Sequence, residues 1–125
     1  MQSSEKGSIL VIEDDHLLRS LFCSYLDDEN MPFIEKGDSL DVLDTIANQL
    51  VEVVLLDIML PHKDGFATIR ELKSAMPLLP VIAMSSSKSY LQIARSIGAN
   101  DVLLKPFRRE EMFRKIERLT RRVAA

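Results

Sequence analysis

A chain of 125 residues, of which 46% are hydrophobic and 28% charged, has the length and composition of one globular domain. Its net charge of −3 argues against the basic field of a nucleic-acid-binding protein, and its single cysteine, Cys23, excludes an intramolecular disulfide or a cysteine-based metal cluster. The first seven residues lack the apolar core of a signal peptide, and no apolar run reaches the roughly 18–20 residues that span a membrane, so we expect a cytoplasmic protein without membrane insertion.

The chain opens with a polar lead-in over residues 1–7 and continues into a short, wholly apolar strand over residues 8–12. A first amphipathic helix follows, because apolar residues recur at helical spacing. Asp14 or Asp15 can cap this helix and suits the positive end of its dipole. The apolar positions of the helix are Leu17, Leu18, Leu21, Phe22, Tyr25 and Leu26.

The next two elements are less sharply marked. Phe33–Glu35 predicts a weak strand at an edge of the sheet. A turn follows at Gly37, and Asp38 or Ser39 is expected to cap a second helix whose apolar residues lie between positions 40 and 50.

The third strand, Val53–Leu56, is a continuous apolar run that leads straight into Asp57. Such a run is typical of a strand buried on both faces of a parallel sheet. An isolated buried carboxylate is costly, so Asp57 belongs at the carboxyl end of the strand, where ligands bind in open α/β sheets.

The remaining elements continue the alternation. They are a helix at about 66–74, the strand Val81–Met84, a helix over Tyr90–Ile97, the strand Val102–Leu104 and a helix at about 108–122. Five strands alternating with five helices predict an α/β fold with a doubly wound, five-stranded parallel sheet and right-handed crossovers.

Four of these strands deliver polar residues to one edge of the sheet. Glu13 and Asp14 follow the first strand, Asp57 the third, Ser85 the fourth and Lys105 the fifth. Three clustered carboxylates repel one another, and one lysine does not balance them, so the set predicts a divalent cation. Mg²⁺, which binds oxygen ligands and phosphates, fits best, with Asp57 as a nucleophile that accepts a phosphoryl group.

Here the sequence resembles the receiver domain of two-component response regulators. The matching segments are Ile9–Asp15, Asp57–Pro61 with Asp64–Gly65, the strand that ends in Ser85, Gly98–Ala99, and Lys105–Phe107. The resemblance implies a receiver domain over residues 8–123, with 124–125 as a tail, and the flavodoxin-like strand order 2-1-3-4-5.

The resemblance also implies the role of each site residue. Asp57 accepts a phosphoryl group from a histidine kinase or histidine phosphotransfer protein. Asp14 binds Mg²⁺ directly, Glu13 binds it through water, and Met59 contributes its backbone carbonyl. Lys105 pairs with the phosphoryl group and precedes a cis peptide bond to Pro106. Ser85 takes the position of the switch hydroxyl.

Two departures from the family pattern concern the output surface. The position three residues before Lys105 is Val102, where many receivers carry an aromatic side chain that rotates on activation. The segment from Ser85 to Lys105 is also about two residues shorter than in the commonest receivers, which predicts that the fourth helix or its loop is short or irregular. We therefore expect the signal to leave through displacement of the loop Ser85–Ser89.

These features lead to a single-domain signalling switch that alters binding to a downstream target protein or relays phosphate. One alternative is a receiver-like scaffold that works without phosphate. Another is a phosphohydrolase, but such enzymes often carry an acid two residues after the nucleophile, where this chain has Met59. At most slow self-dephosphorylation is therefore expected, and the chain is not predicted to be an enzyme.

Other conspicuous residues have simpler interpretations. His16 and His62 are interpreted as exposed histidines, since nothing pairs them at metal-ligand spacing. Cys23 is expected to be inert packing in the first helix. The arginines and lysines between 108 and 122 alternate with glutamates, which predicts a solvated helix with i,i+4 ion pairs rather than a nucleic-acid patch.

Overall fold

The computed structural model describes residues 7–60 and 64–120, and within them five strands alternate with five helices. The strands are β1 (Ser8–Ile12), β2 (Phe33–Lys36), β3 (Val51–Asp57), β4 (Val81–Ser85) and β5 (Asp101–Leu104). The helices are α1 (His16–Asp28), α2 (Val42–Asn48), α3 (Gly65–Ala75), α4 (Lys88–Ser96) and α5 (Arg109–Thr120).

All strand pairs are parallel, and the sheet has the order β2-β1-β3-β4-β5. This order confirms the predicted doubly wound fold. No helix in the described ranges has the length and apolar character needed to cross a membrane.

The sheet is buried on both faces by two helical layers. Along β3, Val54 and Leu56 pack with α2, α3 and α4, whereas Val53 and Leu55 pack with α1 and α5. All four side chains are fully buried, which explains why this strand is a continuous apolar run. Burial of each such side chain contributes roughly 1.5–3 kcal/mol, so the middle of the sheet is the rigid base on which the edge residues stand.

Helix α1 buries fewer residues than its apolar pattern predicts. Phe22 and Leu26 are buried against the sheet, but Leu17 is 79% exposed and Leu21 43%. Leu17 lies in the first turn of α1, which begins beyond the end of β1. Asp15 is the cap, because its Oδ1 accepts a hydrogen bond from the amide of Leu18 at 3.0 Å.

The predicted cap of the second helix is wrong. The residue before α2 is Asp41, which has a left-handed backbone (φ 56°) and makes no side-chain capping bond. Asp38 instead closes a local turn by accepting the amide of Leu40 at 2.9 Å, and the buried Ser39 hydroxyl accepts a hydrogen bond from Thr68 in α3. Local side-chain bonds of this kind hold the backbone in a turn and delay the start of the helix.

Helix α4 is regular and begins two residues earlier than predicted. Ser87 caps it by accepting the amide of Tyr90 at 3.2 Å. The chain leaves α4 through Gly98, whose φ of +123° favours glycine, and a Cβ there would lie 2.9 Å from Cγ of Lys73. With nine residues, α4 is short but not irregular.

Candidate functional site

Asp57 is the last residue of β3, the central strand of the sheet. Its side chain is almost fully buried, and Oδ1 accepts a hydrogen bond from the amide of Met59 at 2.9 Å. One residue beyond the end of β3, the amide of Ile58 still donates to the carbonyl of Met84 in β4. These bonds hold the carboxylate at the carboxyl edge of the sheet with one oxygen, Oδ2, turned towards Lys105.

Glu13 and Asp14 form the turn between β1 and α1, beside Asp57. Glu13 is 1% exposed, and its Oε2 accepts the amide of Asp15 at 3.2 Å. Asp14 is exposed to solvent. One carboxylate oxygen from each of Glu13, Asp14 and Asp57 lies within 4.8 Å of the others, so the three could hold one metal ion. The structure thus brings together the three predicted carboxylates.

Lys105 follows β5 and reaches the same carboxylates. Its Nζ lies 2.6 Å from Oε1 of Glu13 and 3.3 Å from Oδ2 of Asp57. The peptide bond to Pro106 is cis, as the resemblance implied. The backbone amide of Lys105 also donates to the carbonyl of Ser85 at 2.8 Å, which joins the ends of β4 and β5.

The electrostatics of the cluster show an excess of negative charge. Burial, together with the neighbouring Asp57, raises the pKa of Glu13 to about 7 even though Lys105 acts in the opposite direction. Burial alone would lower the pKa of Lys105, but its hydrogen bond to Glu13 and the charge of Asp57 raise it above its ordinary value. One ammonium therefore leaves the carboxylates under-compensated, which is the condition that favours a divalent cation.

Ser85 ends β4 at the same edge, buried within the sheet. Its hydroxyl oxygen accepts the amide of Ser87 at 3.0 Å, and Ser87 in turn caps α4. The Ser85 hydroxyl is thus linked to the start of α4 by two consecutive hydrogen bonds. In the first turn of α4, the ring of Tyr90 packs edge-on against the ring of Phe66 in α3, with centroids 5.9 Å apart.

Arg19 is a site neighbour that the sequence analysis did not single out. Its guanidinium donates to the carbonyl of Glu13 at 2.7 Å and to the carboxylate of Glu35 at 3.2 Å, and it lies 3.3 Å from Nδ1 of His16. A signal was present: Arg19 stands one helical turn after Asp15, the residue that caps the helix, so its side chain can reach back to the turn.

The interpretation of the basic α5 as a purely solvated helix was incomplete. Lys115 does lie 3.6 Å from Glu111 in the expected i,i+4 arrangement. However, Arg118 and Lys115 also bind the buried Asp101 at the start of β5, together with Arg95 of α4 at 2.9 Å. Asp101 begins its strand, so this cluster lies at the edge opposite Asp57.

Beside Lys105 is an apolar cleft of about 300 Å³ between α1 and the loop that leads from β5 to α5. Its lining residues are Leu18, Leu21, Phe22, Ser86, Lys105, Pro106 and Phe107. The exposed Leu17 and Leu21 lie one turn apart on α1, so this side of the site presents apolar surface to solvent. His62 lies outside the described residues.

Comparison with known proteins gives a consistent match. The family model for the response regulator receiver domain matches residues 9–117. A curated relative, the response regulator MprA of a Mycobacterium species (strain KMS), is 32% identical over 118 residues, which cover 93% of this chain and 51% of the relative. The chain therefore spans about half the length of the curated relatives it matches.

Solved structures agree with the fold. The chain is similar to NtrX from Brucella abortus, with 30% identity and a TM-score of 0.84 over 93% of this chain and 27% of that one. The receiver domain of the Francisella response regulator 1452 gives a TM-score of 0.85 over 95% of this chain and 100% of that one. At 23% identity, the second likeness supports the fold alone.

Proposed function

The chain belongs to the response regulator receiver domain family of two-component systems, and from this premise we propose that it is a signalling switch controlled by phosphorylation of Asp57. The observation that carries the proposal is the gathering of Glu13, Asp14, Asp57 and Lys105 at one edge of the sheet. Members of this family act as switches rather than as enzymes that turn over an external substrate.

The acidic cluster fits Mg²⁺ in its chemistry, because its ligands are carboxylate oxygens and its charge is under-compensated. Asp14 and Asp57 would bind the ion directly, Glu13 through water, and Met59 through its backbone carbonyl. When bound, Mg²⁺ neutralises charge that develops on the oxygens of the transferred phosphoryl group.

In the proposed transfer, an oxygen of the Asp57 carboxylate attacks the phosphorus of a phosphohistidine on a kinase or phosphotransfer protein. The new bond is O–P, and the bond that breaks is N–P, whose electron pair stays on the donor imidazole. Lys105 leaves Glu13 and pairs with the phosphoryl oxygens, since its Nζ already lies 3.3 Å from Asp57.

Ser85 is proposed to report the new charge to the surface. A phosphoryl group adds roughly −1.5 to −2 charge and three acceptor oxygens at the site. The Ser85 hydroxyl donates to one of them, which pulls the loop towards Asp57 and disturbs the bond from Ser87 that leads into α4. The route needs no aromatic side chain at position 102.

The apolar cleft beside Lys105 supports a protein as the phosphoryl donor. Leu17 and Leu21 are exposed on α1 beside the site and are not buried in the core of the domain. Apolar side chains on a partner could cover these leucines while the phosphohistidine reaches Asp57. We extend the proposal to a second partner, a downstream target protein that binds differently after α4 shifts.

We also propose that the unit extends over residues 8–123 and works in the cytoplasm, where its kinases would supply the phosphoryl group. The family match over residues 9–117 supports most of that range.

Intact-mass spectrometry after incubation with acetyl phosphate tests the function. We expect a gain of one phosphoryl group that requires Mg²⁺ and is lost in Asp57→Ala. Asp27→Ala, an exposed residue of α1, is the matched control and should still gain the group. Absence of the adduct in a wild-type chain that binds Mg²⁺ would instead favour the phosphate-independent scaffold.

A further inference from the structure

Arg19 connects the turn that carries two of the carboxylates to the neighbouring strand. Its Nη1 donates to the carbonyl of Glu13 at 2.7 Å, and its Nε donates to Oε1 of Glu35, next to the end of β2, at 3.2 Å. The Arg19 side chain is 18% exposed, so most of the guanidinium stem is covered. The planar fork of an arginine suits two acceptors at fixed positions better than a lysine does.

The hydrogen bond from Arg19 to the carbonyl of Glu13 lies where the backbone leaves the sheet. The amide of Glu13 still donates to Lys36 of β2 at 3.1 Å, beyond the last residue of β1. The Glu13 carbonyl is then the next backbone acceptor, and Arg19 supplies its donor. A Cβ at Gly37 would lie 3.3 Å from Nη1 of Arg19, so the guanidinium is closely packed against the chain at that point.

The carbonyl of Glu13 and the amide of Asp14 belong to the same peptide unit. A peptide unit is planar, so a bond that fixes the carbonyl also fixes the plane from which Asp14 projects. The carboxylates on either side of this plane, Glu13 and Asp14, are two of the three that converge with Asp57. A small rotation of this plane would move the Asp14 oxygens relative to Asp57, and metal sites tolerate little displacement of their ligands.

We propose that Arg19 is a positioning residue for the metal site: it orients the peptide between Glu13 and Asp14 so that both carboxylates meet Asp57. The inference rests on the proposed function, because it assumes that these carboxylates bind Mg²⁺. Arg19 touches neither the ion nor the phosphoryl group; it acts through the backbone of Glu13 and through its anchor on Glu35.

The test compares Arg19→Met with wild type by titrating Mg²⁺ and following the backbone amide shifts of Asp14 and Met59. Loss of an outer partner of a metal ligand typically weakens metal affinity by 10–100-fold, and we expect a rise in the Mg²⁺ dissociation constant of about tenfold. The rate of phosphorylation by acetyl phosphate should fall at low Mg²⁺ and recover at saturating Mg²⁺, because Asp57 and Lys105 are unchanged.

Arg109→Met is the matched control. Arg109 also joins two elements through its guanidinium, with ion pairs to Asp28 and Glu29 and contacts to the rings of Tyr25 and Phe113. It does so at the far end of α1, away from the site. Both variants are expected to lower the melting temperature, since each loses contacts between two elements, but Arg109→Met should leave the Mg²⁺ dissociation constant within twofold of wild type.

The inference is overturned if Arg19→Met loses thermal stability while its Mg²⁺ affinity stays within twofold of wild type, or if Arg109→Met weakens Mg²⁺ binding equally. Should Arg19→Met not fold, Arg19→Lys keeps the charge but not the fork, and an unchanged affinity in that variant also overturns the inference. A wild-type chain that binds no Mg²⁺ would instead contradict the proposed function, so the two failures are distinguishable.

Discussion

Lys105 is bound more closely to Glu13 than to Asp57: its Nζ lies 2.6 Å from Oε1 of Glu13 and 3.3 Å from Oδ2 of Asp57. The ammonium thus pairs with a carboxylate of the proposed metal site. In the proposed switch, Mg²⁺ and Lys105 would compete for Glu13, and binding of the ion would release Lys105 towards Asp57. Metal binding would then also prepare the phosphoryl site.

This competition predicts that Lys105→Met binds Mg²⁺ more tightly than wild type. Removal of the ammonium leaves three carboxylates without a cation, so a divalent ion gains more by entering. We expect a decrease of about tenfold in the Mg²⁺ dissociation constant, which corresponds to about 1.4 kcal/mol. Isothermal titration calorimetry measures it directly. Phosphorylation by acetyl phosphate should slow in the same variant, because no ammonium is available to the phosphoryl oxygens.

Arg114→Met is the control for the change in net charge, since Arg114 is exposed on α5 and loses the same single positive charge. Its effect on Mg²⁺ affinity should be small, because an exposed distant charge is screened by salt. Equal or weaker Mg²⁺ binding in Lys105→Met than in wild type would show that Lys105 does not compete for Glu13.

A second prediction separates phosphorylation from its readout. Ser85→Ala should still gain a phosphoryl group, because Asp57, Lys105 and the carboxylates remain. Amide shifts of Ser87 and Tyr90 should then change much less on adding Mg²⁺ and beryllofluoride than in wild type, since the hydroxyl that joins the loop to the phosphoryl site is gone.

Ser86→Ala provides the comparison, because Ser86 is the exposed neighbour of Ser85. That variant should keep the wild-type shifts. If wild type itself shows unchanged shifts throughout the loop, the proposed route through Ser85 is wrong even if Asp57 is phosphorylated.

A third prediction concerns the lifetime of the phosphoryl group. Met59 lies two residues beyond Asp57, its backbone amide bonds Oδ1 of Asp57, and its side chain is 58% exposed at the rim. An apolar side chain there cannot orient an attacking water. Met59→Glu should speed loss of the phosphoryl group by about tenfold, a modest gain for a general base that the protein does not otherwise position.

The measurement is the decay of the phosphorylated mass after acetyl phosphate is removed. Met59→Leu is the matched variant, because it keeps an apolar side chain of similar size, and it should decay at the wild-type rate. If Met59→Glu loses the phosphoryl group no faster than Met59→Leu does, the rate at which water attacks the phosphoryl group is not set by the side chain at position 59.

The sequence predicted the edge on which the site lies better than it predicted the contacts there. Asp57 and Lys105 each follow a buried strand, and parallel strands bring their carboxyl ends to one edge, so convergence could be expected from pattern alone. The strand order came from the resemblance. The pairing of Lys105 with Glu13 joins residues 92 positions apart, and no local pattern encodes a distance of that kind.

The incorrect predictions arose where side chains bind outside their own element. Asp38 was expected to cap a helix but closes a turn two residues ahead of it. Leu17 fits a helical apolar stripe, yet it is exposed to solvent. Lys115 and Arg118 of α5 were expected to pair with glutamates of their own helix. Their partner Asp101 belongs to β5, so the spacing within α5 does not reveal it. Such partners depend on packing between elements, which periodicity does not describe.

The Asp101 cluster supports a final prediction, about stability and pH. Burial alone would raise the pKa of Asp101, but hydrogen bonds from the amide of Val102 and from Arg118, with the charge of Lys115, hold it below its ordinary value. A lowered folded-state pKa means that ionised Asp101 stabilises the fold above the unfolded pKa of about 4, and that this contribution is lost as pH falls through the folded value. Asp101→Asn should therefore lower the free energy of unfolding by about 2 kcal/mol at pH 7.

The same substitution should cost progressively less as the pH falls below about 4, because the carboxyl of wild-type Asp101 is then protonated first in the unfolded state and, at lower pH, in the folded state as well. Urea unfolding of both chains at pH 7 and at pH 3 measures the difference. Asp28→Asn, which removes an exposed partner of Arg109 at 3.4 Å, should cost less than about 1 kcal/mol at pH 7. A difference between wild type and Asp101→Asn that stays constant from pH 7 to pH 3 would mean that the charge of Asp101 contributes nothing and that only its shape matters. The buried position of Asp101 among three cations argues for the charge, since an unpaired carboxylate there would be expensive to keep.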